Sequence, residues 1–171
     1  AVQGLLMGAG LTLQASLGYT DFEPGLYLGV LFGLQMADYA LFAVLAFAVH
    51  VLVDQEYVGH LVAVLVYAFT LAASYLGVEH HLLAYGAAPG WMYAELNGFG
   101  ATLRPFLLFK LYWTGWALLL VAAAWLYRVR GAAHGLRARH HAARRGLTPP
   151  RAGLVAAALA VVLLAGGFVF Y

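Results

Sequence analysis

Charge is what this chain has least of. Its 171 residues include only nine Lys and Arg and seven Asp and Glu, 9% of the total, against 64% hydrophobic side chains. An ordinary soluble domain carries roughly 25% charged and 45–50% apolar residues. A water-soluble globule needs a polar surface that so few charges cannot supply. A soluble enzyme, a disordered tail and a nucleic-acid-binding domain are therefore excluded. Cysteine is absent, which removes disulfides and thiolate metal sites. The sequence also lacks an H-E-x-x-H zinc motif and a G-x-x-x-x-G-K-[ST] phosphate loop. No nucleophile stands near a suitable base. No enzymatic activity, catalytic residue, metal or cofactor is expected.

What the chain has instead is long apolar runs, with a mean hydropathy of +0.84. Five stand out: 1–19, which contains Gln3 and Gln14; 31–53, with Asp38 and His50; 58–78, with His60; 105–127, with Lys110; and 152–171. Each approaches the ~20 residues that carry a helix across a ~30 Å hydrocarbon core. None alternates with period two, which argues against a lipid-facing barrel, and helices are the other way to satisfy a backbone in lipid. The expectation is one all-α polytopic bundle of about five spans over residues 1–171. Gly4-x-x-x-Gly8 offers a small-residue packing face in the first span. That span lacks the basic start of a signal peptide. The chain opens on Ala1 and stops at Tyr171 inside an apolar run, so it reads as a piece of a longer polypeptide.

The basic residues give the bundle an orientation. Arg128, Arg130, Arg137, Arg139, Arg144, Arg145 and Arg151 all fall in one loop, and the loops 19–30, 54–57 and 79–102 contain no Lys or Arg. The positive-inside rule makes 128–151 cytoplasmic, 79–102 and 19–30 external, and the turn 54–57 internal. The arginine loop has no aromatic interleaving for base stacking. It suits anionic lipid headgroups, at about 1 kcal/mol per basic residue.

Few polar groups enter the spans. Asp38 and Lys110 are the intramembrane ionisable residues, and Arg104 and Lys110 are candidate partners for Asp38 on the outer side. His50 and His60 flank the inner turn symmetrically about Gln55. In an antiparallel pair they share a depth and can face each other, which raises a haem or metal reading, but adjacent helices leave little room for a macrocycle, and the expected role is that of interfacial histidines. Glu79-His80-His81 are consecutive, so on a helix they diverge by about 100° each and suit one ion poorly. The outer loop 79–102 is long, aromatic and glycine-rich. Trp91, Tyr93 and Phe99, with Leu82, Leu83, Met92 and Leu96, predict an ordered cap of short helices lying in the interface. Asn97 is placed as a helix cap and Gly98 as a bend. Tyr112, Trp113 and Trp116 join an outer aromatic belt.

The blocks "LGVEHHLLAYGAAPGWMYAELNGFG", "RPFLLFKLYWTGWALLL" and "YRVRG", with "LFGLQMADYALFAVLAFAVHVLVDQEYVGHLVAVL" and the closing "GGFVFY", carry a family resemblance. The chain resembles the membrane portion of large bacterial fusion proteins that join ABC-type exporter permease segments to a C-terminal zinc aminopeptidase-like domain. It departs from the family's pattern at Ala94-Glu95-Leu96, before Asn97-Gly98, and ends before any peptidase motif. The resemblance implies a multi-pass permease in the bacterial inner membrane, with other permease segments or a second copy beside it, energised by a separate cytoplasmic ATPase. It places the ATPase-coupling segment at the inner turn, on Asp54, Gln55, Glu56, Tyr57 and Gly59. A non-transporting membrane scaffold or assembly subunit is the alternative, and a haem-binding redox subunit a further one.

The topology is testable in this cysteine-free background. Ala88→Cys is expected to react with an impermeant thiol reagent added outside intact cells, and Ala138→Cys is not. The opposite pattern would reverse the bundle.

Overall fold

A computed structural model describes residues 2–53, 55–73, 75–78, 80–127 and 148–170, except for the side chain of Arg151. The fold is all-helical: α1 Val2–Ser16, α2 Pro24–Leu28, a π-helical turn Gly29–Leu34, α3 Gln35–Val53, α4 Glu56–Ala72, a 3₁₀ turn Gly100–Thr102, α5 Leu103–Tyr127 and α6 Pro149–Phe170. Among the described residues three helices are long and apolar enough to cross a membrane: Pro24–Val53, Gly100–Tyr127 and Ala152–Phe170.

The expected span boundaries move for local reasons. The second span starts at Pro24, well before residue 31, because a proline at the first helical position loses no ladder bond and has its φ preset. Residues 24–30, expected in an outer loop, are therefore helical. The first helix stops at Ser16, where Gly18 takes a φ of 83° and Tyr19 N–H turns back to the Gln14 carbonyl at 3.0 Å. That left-handed glycine closes the helix end. α4 ends at Ala72, well short of residue 78; beyond it Val78 N–H bonds the Ala73 carbonyl at 2.9 Å and Gly77 has a φ of 79°. With 17 residues, α4 is about 25 Å long at 1.5 Å per residue, less than a ~30 Å core. α1, with 15 residues, is shorter still. The residues expected to be apolar in these two runs are present, but not all of them are helical.

The chain forms two compact units, 1–40 and 41–171. In the first, α1 lies along α2 and the π turn. The Gln3 side-chain amide donates to the Leu31 carbonyl inside that turn at 2.7 Å, and Gly10 sits under Tyr27, whose Cε1 would lie 2.9 Å from an added Cβ. The close approach falls at Gly10; a Cβ at Gly4 or Gly8 would meet nothing within 4 Å.

In the second unit α5 is the central element. Phe106, Lys110, Trp113, Ala117 and Ala124 form a buried stripe at helical spacing, and Gly115 is buried beside it. Leu41 of α3 packs with Trp113 and Ala117, flanked by Val44, Tyr85 and Tyr112. α3 and α4 pair antiparallel through Phe42–Tyr67, 4.9 Å between centroids, and through His50–His60 nearer the turn. α5 also packs antiparallel on α6, where Ala158, Val162 and Ala165 form the buried stripe. The opposite face of α6 carries Leu163, Leu164 and Phe168, each at least 70% exposed. A stripe of this size is compatible with contact to lipid.

The α5–α6 approach depends on Gly115. A Cβ there would lie 2.8 Å from Val162 Cγ2 and 3.3 Å from the Ala158 carbonyl oxygen. Gly115→Ala is expected to destabilise the pair by about 1–3 kcal/mol, the usual range for overpacking. Adding Val162→Ala should recover part of that loss. Thermal unfolding in detergent, arranged as a double-mutant cycle, checks both; additive effects would show that this contact does not limit the approach.

Candidate functional site

The inner turn is short. Gln55 is extended, with φ −139° and ψ 118°, and it starts α4 by accepting the Gly59 N–H on its carbonyl at 2.8 Å. Its side chain makes no capping bond. Glu56 lies in the first turn of α4, where a carboxylate complements the positive helix end. Gln55, Glu56 and Tyr57 are exposed, Tyr57 to 83%. Asp54 lies outside the described residues. Gly59 differs from its neighbours: it is buried, with His50 Cδ2 only 3.0 Å from where a Cβ would stand. The expected coupling set thus divides into an exposed edge and one internal packing position. His50 Nδ1 donates to the Ala46 carbonyl at 2.7 Å, and His50 Nε2 lies 2.9 Å from His60 Nδ1. The two imidazoles expected to share a depth are brought together.

The outer segment is built from turns. Short helices lying in the interface were expected over 79–102; among the described residues the segment holds turns, a single Ala94–Gly98 bridge and the 3₁₀ turn Gly100–Thr102. The physical reason is the repeated left-handed glycine: Gly86, Gly98 and Gly100 have φ of 77°, 56° and 50°, and each interrupts a helical ladder. Asn97 caps no helix. Its N–H bonds the Ala94 carbonyl at 3.1 Å, and its own carbonyl takes the Gly100 N–H at 3.0 Å. Around this turn Phe99 lies edge-on to both Trp91 and Tyr93, at 5.8 and 5.3 Å. The Thr102 hydroxyl accepts the Met92 N–H at 3.2 Å and bonds the Phe99 carbonyl at 2.6 Å. Leu83, Met92 and Leu96 point outward, Leu96 completely.

Side chains of α5 hold the segment. Lys110 Nζ donates to the Gly86 carbonyl at 2.6 Å and lies 5.0 Å from the Phe106 ring centre. Trp113 Nε1 donates to the next carbonyl, Ala87, at 2.8 Å. Three residues apart on α5, these two donors meet consecutive carbonyls of the segment. The Tyr85 hydroxyl donates to the Leu41 carbonyl of α3 at 3.2 Å, and burial pushes its pKa up to about 12. Trp113, expected in the aromatic belt, is buried, and its indole N–H is used within the protein. The sequence signal for this role is the Lys110–Trp113 spacing opposite a glycine-rich loop.

The remaining candidates separate. His80 stacks on Phe170 of α6 at 5.4 Å, whereas His81 meets Phe109 of α5 edge-on at 5.7 Å. Among the described residues no group of three or more His, Cys, Asp and Glu could hold a metal ion. Asp38 lies in the first turn of α3 and is exposed. The cytoplasmic assignment of 128–147 and the position of Glu79 fall outside the described residues. Comparison with family models, curated proteins and solved structures found no match to this chain.

Trp113→Phe keeps the ring packing and removes the donor to Ala87. A loss of about 0.5–1.5 kcal/mol is expected, the net worth of one such bond, with faster amide exchange over 85–90. Unchanged melting and exchange would mean that this bond does not order the segment.

Proposed function

We propose that the chain is the membrane portion of an ABC-type export permease, energised by a separate cytoplasmic ATPase subunit. The observation that carries this reading is the turn between α3 and α4. It presents Gln55, Glu56 and Tyr57 outward while Gly59 and the histidine pair hold the helix ends behind it. A short turn with an exposed polar and aromatic edge suits transmission of a push from a partner to two helices. The resemblance of the sequence to exporter permease segments supports the same assignment.

In this reading the bundle crosses the bacterial plasma membrane five times, α1 and α4 completing their crossings with the turns that flank them. The distribution of arginines supports an internal 128–151 and an external 79–102. The exposed apolar faces of α4 and α6 meet lipid, other permease segments or a second copy of the chain. The external segment, tied to α5 through Lys110 and Trp113, forms a lid on the outer side. The chain performs no catalysis itself.

Replacing Asp54, Gln55 and Glu56 together by alanine should leave membrane insertion intact and abolish stimulation of the partner ATPase. Unchanged transport and undiminished co-purification with the ATPase would remove the coupling role and favour the scaffold reading.

A further inference from the structure

His50 and His60 converge across the α3–α4 turn, with 2.9 Å between Nε2 and Nδ1 and 4.7 Å between ring centroids. We propose that this pair is a transition-metal site, a two-histidine chelate for Zn²⁺, Cu²⁺ or Ni²⁺ that pins the adjoining ends of α3 and α4.

Three observations carry the proposal. The first is the bite. Two imidazole nitrogens at about 2.0–2.1 Å from one ion, separated by a right to tetrahedral angle, lie roughly 3 Å apart. The second is orientation. A backbone carbonyl only accepts, so the 2.7 Å contact to Ala46 places the His50 proton on Nδ1. The lone pair of Nε2 then faces His60. A second ring nitrogen donating to a carbonyl is the usual support of a metal-bound histidine. The third is close approach. Gly59 is buried against the His50 ring, where a Cβ would stand 3.0 Å from Cδ2, so the missing side chain lets α4 carry His60 up to His50.

Without metal, the His60 Nδ1 proton fills the line between the rings. When an ion enters, that proton passes through water to Nε2 of the same exposed ring, so a neutral pair releases no net proton. The protein supplies two ligands, since no third His, Cys, Asp or Glu joins them among the described residues. Water completes the coordination. Glu56, one helical turn before His60 on α4, adds negative charge on the same face. Imidazole donors suit zinc, copper and nickel over calcium and magnesium. This site does not depend on the transport reading.

The test uses tag-free protein in detergent micelles, carrying His134→Asn, His140→Asn and His141→Asn to remove the histidines of the arginine-rich segment. Calorimetric titration with zinc chloride near neutral pH should give one ion per chain with micromolar affinity. His50→Asn or His60→Asn alone should weaken it by about 10-fold or more. His81→Asn should leave the isotherm unchanged. Because His60 is exposed, His60→Asn is the variant expected to keep the fold, checked by circular dichroism. Bound Cu²⁺ should show magnetic coupling to two imidazole nitrogens. The proposal is overturned if zinc does not bind this background, if His60→Asn binds it equally well, or if the copper signal depends on His81.

Discussion

Backbone hydrogen bonding without help from water is the constraint on which this structure rests. A chain with 9% charged residues has few side chains to satisfy stray carbonyls, and an unpaired buried carbonyl costs a few kcal/mol. Most of the chain meets the constraint with helices, whose ladders are internal. Side-chain donors reach carbonyls both inside the helices and in the outer segment. Gln3 reaches the Leu31 carbonyl, Tyr85 the Leu41 carbonyl, Lys110 that of Gly86 and Trp113 that of Ala87.

α5 shows how one helix serves several neighbours. Its buried stripe takes Leu41 of α3, Gly115 admits α6 at close range, and Lys110 and Trp113 tie down the outer segment. Lys110 would be an expensive residue in an apolar helix if its ammonium met only hydrocarbon. Here it meets a carbonyl dipole and an aromatic face. The same residue that looks like a defect in the hydropathy pattern is a tether.

The turn between α3 and α4 has a different logic. Its exposed edge is polar, and its inner side is closed by two imidazoles and a glycine. Helices paired at Phe42–Tyr67 and at His50–His60 are held at two levels, so the exposed side chains ride on a firm base. Such an arrangement can serve a docking partner or a bound ion without change of fold.

Composition alone determined the helical class, because apolar runs of membrane length leave the backbone no other internal way to pair. Periodicity and symmetry about Gln55 also placed His50 opposite His60. Helix ends were less legible: hydropathy continues through Leu17–Tyr19 and Ala73–Val78, whereas the ladder stops before the left-handed glycines Gly18 and Gly77. The outer segment read as ordered, yet its turns escaped prediction: α5 holds the Gly86 and Ala87 carbonyls through Lys110 and Trp113, while backbone bonds among Ala94, Asn97, Gly98 and Gly100 close the turns beyond. Asp54-Gln55-Glu56-Tyr57-Gly59 read as one surface, but burial set Gly59 apart. Only the tertiary structure decided these points, because a donor's partner depends on which helix lies across from it, and spacing along one chain segment carries no information about that distance.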